Sequence, residues 1–187
     1  MKKLMLAAAM MVATISASAQ VYVGGGIGFE SSKANKDASS LSAFTIVPEV
    51  GYKLDEKWAV GIQLGYGSKQ TMGQTEGAGK ITTSVFTVAP YARYTFAKSG
   101  IASFFVDGGI QYTSLGSDSK GNTFGVGLRP GVKIAASDKI DLVARLGYLG
   151  YRTSNEDAQA LGYGFEKDYF GFNVNGNALE FSIYFNL

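Results

Sequence analysis

Nine ionisable side chains recur at alternate positions within otherwise apolar-patterned segments: Glu49, Lys53, Arg93, Asp107, Arg129, Lys133, Asp141, Arg145 and Glu180. Carboxylates and cations gathered in one enclosure can transfer protons, hold an ion or neutralise one another. Composition narrows the choice. Histidine and cysteine are both absent, which removes the commonest general base, the commonest transition-metal ligand and all thiolate chemistry. Glu156 with Asp157, and Glu166 with Asp168, are carboxylate pairs in a polar stretch and read as solvated groups rather than an acid–base pair. Asp118, Asp157 and Asp168 lack the spacing of a calcium loop. The run Val23-Gly24-Gly25-Gly26-Ile27-Gly28 has neither the following helix nor the Gly-Lys-Ser of a phosphate loop. No enzymatic activity, cofactor or metal is expected.

The elements that place those nine charges begin after residue 19. Lys2 and Lys3 precede an apolar run from Leu4 to Ile15, and Ala17-Ser18-Ala19 forms a small-residue cleavage site before Gln20. Residues 1–19 are therefore expected to be a cleaved secretory signal peptide, and 20–187 a single domain. Without Lys2 and Lys3, the 17 basic residues fall to fifteen and equal the 15 acidic ones. No charge excess points to nucleic acid.

From Val21 onward the chain alternates with period two, as strands do. A hairpin unit recurs: Val47 to Tyr52 descends, turns at Asp55-Glu56-Lys57 and returns through Trp58 to Tyr66. Equivalent units turn at Ala97-Lys98-Ser99-Gly100 and at Ala136-Ser137-Asp138-Lys139, and all three prolines, Pro48, Pro90 and Pro130, hold the same place in the repeat. Each proline lacks an N–H, so each should mark a bulge or an overhanging strand end. With a first strand over 21–30 and a last strand over 179–187, eight strands result, with no convincing helix. Polar stretches at 31–42, 68–82, 115–121 and 153–175 are expected to be loops.

Period two does not say which face is inside. Three observations do. The apolar parity carries most of the strand aromatics, more than the interior of an eight-stranded barrel can hold. Eleven glycines, among them Gly24, Gly51, Gly61, Gly109 and Gly131, fall on the polar parity, where a narrow lumen favours them. No strand residue of the apolar parity is ionisable, as suits lipid, in which a mid-bilayer Lys or Arg costs ~2–4 kcal/mol. Short turns alternating with longer loops, and aromatics near both strand ends, fit the same arrangement. The expected fold is an all-β, eight-stranded antiparallel up-and-down transmembrane β-barrel with the nine charges inside. A salt-bridged lumen follows from five cations and four anions that nearly cancel in one enclosure, with Glu30 at the mouth as a candidate fifth acid, while the inward glycines leave space that water could occupy.

The signal peptide, the Pro-x-x-x-Tyr descents, the ascents ending in Gly-Tyr and the closing Leu179-Glu180-Phe181-Ser182-Ile183-Tyr184-Phe185-Asn186-Leu187 resemble the eight-stranded outer-membrane β-barrel family, also called porin-family or OmpA/OmpX-like. The resemblance implies the outer membrane of a Gram-negative cell, contact with its lipid and lipopolysaccharide, and insertion by the outer-membrane assembly machinery. The chain ends in Leu187 where such barrels usually end in an aromatic. An even strand count puts both termini on the periplasmic side. The functional expectation is a structural or surface-interaction role through outside loops. A narrow pore or small-solute transporter is the alternative, and a soluble secreted ligand-binding barrel the second alternative. Tyr163, Phe165, Tyr169, Phe170 and Phe172, in the last long loop, are the candidates for recognising a surface ligand, whose identity is unknown; strand extension is the competing explanation.

Overall fold

The computed structural model describes residues 20–32, 41–72, 80–116, 120–160, 167–173 and 179–187. The proposed signal peptide lies outside these residues. Ten strand segments run in chain order as β1 (Val21–Ser32), β2 (Leu41–Lys53), β3 (Trp58–Met72), β4 (Lys80–Ser99), β5 (Ala102–Gly116), β6 (Lys120–Ala135), β7 (Ile140–Leu146), β8 (Tyr148–Ser154), β9 (Asp168–Asn173) and β10 (Leu179–Asn186). All pairings are antiparallel. β7 and β8 form one stave and β9 and β10 another, so ten segments make eight staves. The ladder between β5 and β6 closes the sheet into a barrel.

The alternation in sequence becomes an inside and an outside. Val60, Tyr66, Phe86, Ile110, Val126, Leu142 and Ile183 are exposed, while Glu49, Gln63, Tyr91, Phe105, Asp107, Arg145 and Tyr184 are buried. This is the reverse of a soluble barrel, in which burial of apolar surface drives folding. It suits a lipid solvent, where every backbone group must be paired within a closed sheet.

The strands outrun their expected lengths at the loop end. β3 continues to Met72 and β4 already starts at Lys80, so most of the stretch expected to be a loop at 68–82 is ladder. Likewise β5 reaches Gly116 and β6 begins at Lys120. The Ser- and Thr-rich composition that suggested loops is compatible with strand pairing, since Thr is β-branched. A short helix, α1 (Glu156–Ala160), also departs from the expectation. Asn155 caps it by accepting the Ala158 N–H at 3.0 Å, satisfying one of the donors that a helix start leaves over.

All three prolines lie in mid-strand, so none is an overhanging end. Each sits where one ladder is interrupted. The β2–β3 register passes from Ile46–Tyr66 to Glu49–Gln63, skipping Pro48, and the β4–β5 register passes from Val88–Tyr112 to Tyr91–Gly109, skipping Pro90. Register is kept at both places, so these are gaps and not bulges. At Pro130 the partner stave does bulge: β6 pairs with β8 up to Leu128–Leu149 and with β7 from Gly131–Arg145, with Gly147 extruded at φ 74°. Only this third proline marks a true bulge.

The seam between first and last staves is short. β1 and β10 pair only from Tyr22–Asn186 to Gly25–Ile183, whereas β3 and β4 pair from Trp58–Tyr94 to Met72–Lys80. Gly25 has φ 147°, and beyond it the β1–β10 ladder ends although Gly26 still lies against Phe181; by Gly28 a built Cβ would meet only Thr45 of β2.

Candidate functional site

The lumen is organised around Arg145, whose guanidinium reaches three carboxylates. Nε donates to Asp107 Oδ2 at 2.8 Å, Nη1 to Glu180 Oε1 at 2.7 Å and Nη2 to Glu49 Oε1 at 2.8 Å. Arg93 grips both oxygens of Asp107, donating from Nε to Oδ1 at 2.7 Å and from Nη2 to Oδ2 at 2.9 Å, and its guanidinium lies 3.9 Å from the centre of the Phe105 ring. A planar fork with fixed donors suits such bidentate and stacked contacts, which a lysine could not reproduce. Glu180 and Arg145 are direct cross-strand neighbours, as are Arg93 and Asp107. Glu49 reaches Arg145 only across the barrel.

Three tyrosines and a glutamine complete this layer. Tyr184 Oη donates to Glu49 Oε1 at 2.6 Å, Tyr91 donates to the same oxygen, and the Tyr22 and Tyr91 hydroxyls are 2.6 Å apart. The Tyr22 and Tyr184 rings stack at 4.9 Å. Gln63 donates to Glu49 and Glu180 and accepts from Arg129 Nη2 at 2.6 Å, while Arg129 Nη1 lies 3.6 Å from Glu180. Three guanidiniums thus face three carboxylates, and the layer is electrically balanced. Low polarity around it makes each satisfied bond count and each missing one costly.

The inward glycines make room for the rings. A Cβ on Gly51 would run into the Tyr22 ring, and one on Gly61 would stand 2.5 Å from Tyr91 Oη. Gly131 faces Phe105 in the same way, and Gly127 faces Tyr148. At these four positions an aromatic ring of the neighbouring stave takes the space that the glycine leaves, whereas Gly28 and Gly65 meet only threonine. Above the layer, a void of about 10 Å³ beside Gln111, Arg129 and Tyr148 has room for about one water. Beyond it the inward Arg152 stands opposite Gly125 with its guanidinium 4.1 Å from the centre of the Tyr148 ring, and hydroxyl pairs line the wall, Thr87 meeting Thr113 at 3.0 Å and Thr123 meeting Ser154 at 3.2 Å. There α1 rests on β6, with the buried Ala158 against Gly121.

The remaining three charges stand apart, at the turn end. Lys133 Nζ is 3.4 Å from Asp141 Oδ2, and Lys53 Nζ donates to Asn186 Oδ1 at 2.9 Å, whose amide in turn donates to Asp141 at 3.2 Å. The nine charged residues singled out from the sequence all face the interior, but as two groups: six in the central layer and three below it. Tyr22, Gln63, Tyr91 and Tyr184 were not singled out. Their signal was present, because an aromatic on the polar parity opposite a glycine has little reason to be there except to fill a lumen. At the turns, the Asp55 carboxylate accepts the Lys57 and Trp58 N–H groups at 2.7 and 2.8 Å, and those two bonds hold its pKa below the usual carboxylate range.

Of the five loop aromatics, Tyr163 and Phe165 lie outside the described residues. Tyr169, Phe170 and Phe172 belong to β9, paired with β8, rather than to a loop. Phe170 and Phe172 are exposed at 76% and 65%, beside Tyr151 and Leu149, their cross-strand partners. Tyr169 takes the opposite face, against Gly171.

An eight-stave antiparallel barrel, apolar without and charged within, defines a membrane-spanning β-barrel. The sequence matches the outer membrane protein beta-barrel domain family over residues 4–177, and the chain belongs to that family of the Gram-negative outer membrane. Among solved structures it is similar to Neisserial surface protein A, at 15% identity and TM-score 0.49, covering 91% of this chain and 98% of that one. It is also similar to the N-terminal β-barrel domain of Pseudomonas aeruginosa OprF, at 14% identity and TM-score 0.43, again over 91% of this chain and 98% of the other. No curated protein matches the sequence significantly.

Proposed function

We propose that this protein is a small integral barrel of the outer membrane with a structural or surface-interaction role and a lumen closed by its own ion pairs. The observation that carries this reading is the central layer: Arg145 and Asp107 at 1% exposure, Glu49 at 4% and Arg93 at 5% fill the bore together with three tyrosine rings. A barrel of eight strands is only wide enough for side chains, and here those side chains are mutually bonded. In this reading the turn end and both termini face the periplasm and the loop end faces outward. Membrane lipid and lipopolysaccharide surround the apolar belt, and the outward Phe181, Ile183, Phe185 and Leu187 of the last strand present the alternation that the assembly machinery would engage. The exposed Phe170 and Phe172 on the β8–β9 hairpin offer the apolar surface that a ligand outside the cell would contact.

Planar-bilayer recording of the reconstituted barrel tests the closed lumen. The expected trace has no reproducible conductance steps; stable unitary steps would favour the narrow-pore alternative. Orientation is tested separately, by labelling cysteines placed singly in 73–79 and at Ser137 in intact cells with an impermeant reagent. The first should react and the second should not.

A further inference from the structure

The charges of the lumen do not balance evenly along its length. In the central layer Arg93, Arg129 and Arg145 meet Glu49, Asp107 and Glu180, three against three. At the turn end two lysines share Asp141. Lys53 is held by the neutral amide of Asn186 and makes no ion pair of its own among the described residues, and an ammonium has three donors to satisfy. Both lysines line a cavity of about 210 Å³ that opens at the turns and ends on Tyr22, Arg93 and Tyr184. Of the other acids of its rim, Asp55 accepts the N–H groups of its own turn and Glu56 points into solvent, 3.8 Å from Lys98.

We propose that this turn-end cavity is a binding site for a small oxyanion, a phosphate or carboxylate group held by Lys53 and Lys133. A blind cavity with surplus positive charge and unused donors is the arrangement that favours an anion, because charge-assisted bonds there are stronger than in open water. The balanced layer at its inner end stops the anion from going further, so the cavity binds and does not conduct. Its volume admits inorganic phosphate or the head group of a larger molecule. The same chemistry would be met by a free anion or by the phosphate of a neighbouring lipid.

The test is calorimetric titration of inorganic phosphate into the detergent-folded barrel at constant ionic strength, set against Lys53→Met and Lys133→Met. Retention of the heat-modifiable gel shift shows that each variant is folded. Saturable binding by the native protein, weakened about tenfold in each folded variant, is the expected result. No saturable binding by the native barrel would overturn the proposal. So would equal binding by native protein and Lys53→Met, since the anion would then sit elsewhere. Should Lys133→Met fail to fold, Lys53→Met alone decides, because Lys53 leaves no carboxylate of its own unpaired. Repeating the titration in nanodiscs of phosphatidylglycerol and of phosphatidylcholine separates the sources. Phosphate binding suppressed only in the anionic lipid identifies a head group as occupant, and equal binding in both identifies a free anion.

Discussion

Arg145 Nη2 lies 2.8 Å from Glu49 Oε1, across a lumen that separates β7 from β2. The two residues are 96 positions apart in the chain, and no local structure brings them together. Their contact is a property of the closed barrel. It also makes Arg145 the group on which three carboxylates depend.

Replacing Arg145 by Met should therefore leave Glu49, Asp107 and Glu180 short of a cation at once. Breaking a buried pair from one side typically costs ~3–5 kcal/mol, and a loss in that range is expected in urea unfolding from lipid vesicles. Arg129→Met should cost less than Arg145→Met, because Arg129 serves one carboxylate, at 3.6 Å, with a side chain 19% exposed, and its one short bond is to the neutral Gln63. Equal losses for the two arginines would refute the central place given to Arg145.

Gly61→Ala should destabilise by about 1–3 kcal/mol, the usual cost of overpacking a filled interior. The Tyr91 ring that a Cβ would strike is tied by its hydroxyl to Tyr22 and Glu49, so it has nowhere to move. Gly116→Ala, where nothing lies within 4 Å of the added carbon, should be close to neutral. A neutral Gly61→Ala would show that the lumen has slack.

Gly147 sits at φ 74° where the seventh stave changes register. Gly147→Ala should cost roughly 1–2 kcal/mol, the penalty of a left-handed conformation for a residue with a Cβ. Gly24 has no positive φ, but a Cβ there would stand 2.5 Å from the Tyr184 ring, so the two positions separate backbone strain from crowding. An unchanged unfolding midpoint for Gly147→Ala would argue that the bulge relaxes.

Asp55 should titrate below an ordinary exposed aspartate. Its folded pKa is depressed, so the stability it contributes is present above its unfolded pKa and is lost as pH falls through the folded one. Carboxyl chemical shifts followed by NMR in micelles measure this directly. A midpoint at or above the usual aspartate value would contradict the turn geometry, and Asp55→Asn should remove this acid-side component while leaving the hairpin paired.

Much of this architecture was legible because strand parity is rigid: one residue of slip exchanges the faces, so Glu49, Arg93, Asp107 and Arg145 had to share the interior once any of them did. What parity does not contain is the third dimension. That Arg129 leaves its direct neighbour Asp107 to reach Gln63 and Glu180 depends on how tilted staves bring distant positions level. The split of nine charges into six and three depends on it too. The ends of β3, β4, β5 and β6 were obscured by Ser, Thr and Gly, which signal turns in a soluble chain but extend ladders here. Helix α1 announced itself only through Asn155 ahead of Glu156 and Asp157, a capping signature that five residues scarcely amplify.

The brevity of the β1–β10 ladder bears on how the barrel comes into being. Tyr22 of the first stave stacks on Tyr184 of the last, Tyr184 donates to Glu49, and Arg145 bridges Glu49 to Glu180. The edges that meet with the fewest backbone bonds are thus fastened from within. The Arg145–Glu180 pair belongs to the β7–β10 ladder, but the contacts of Tyr184 and Arg145 with Glu49 and of Tyr22 with Tyr184 join the first staves to the last, so they form only when the sheet closes. The interior works as a clasp: insertion ends in a single all-or-none step, and a chain paired out of register at that seam would find no place for its charges.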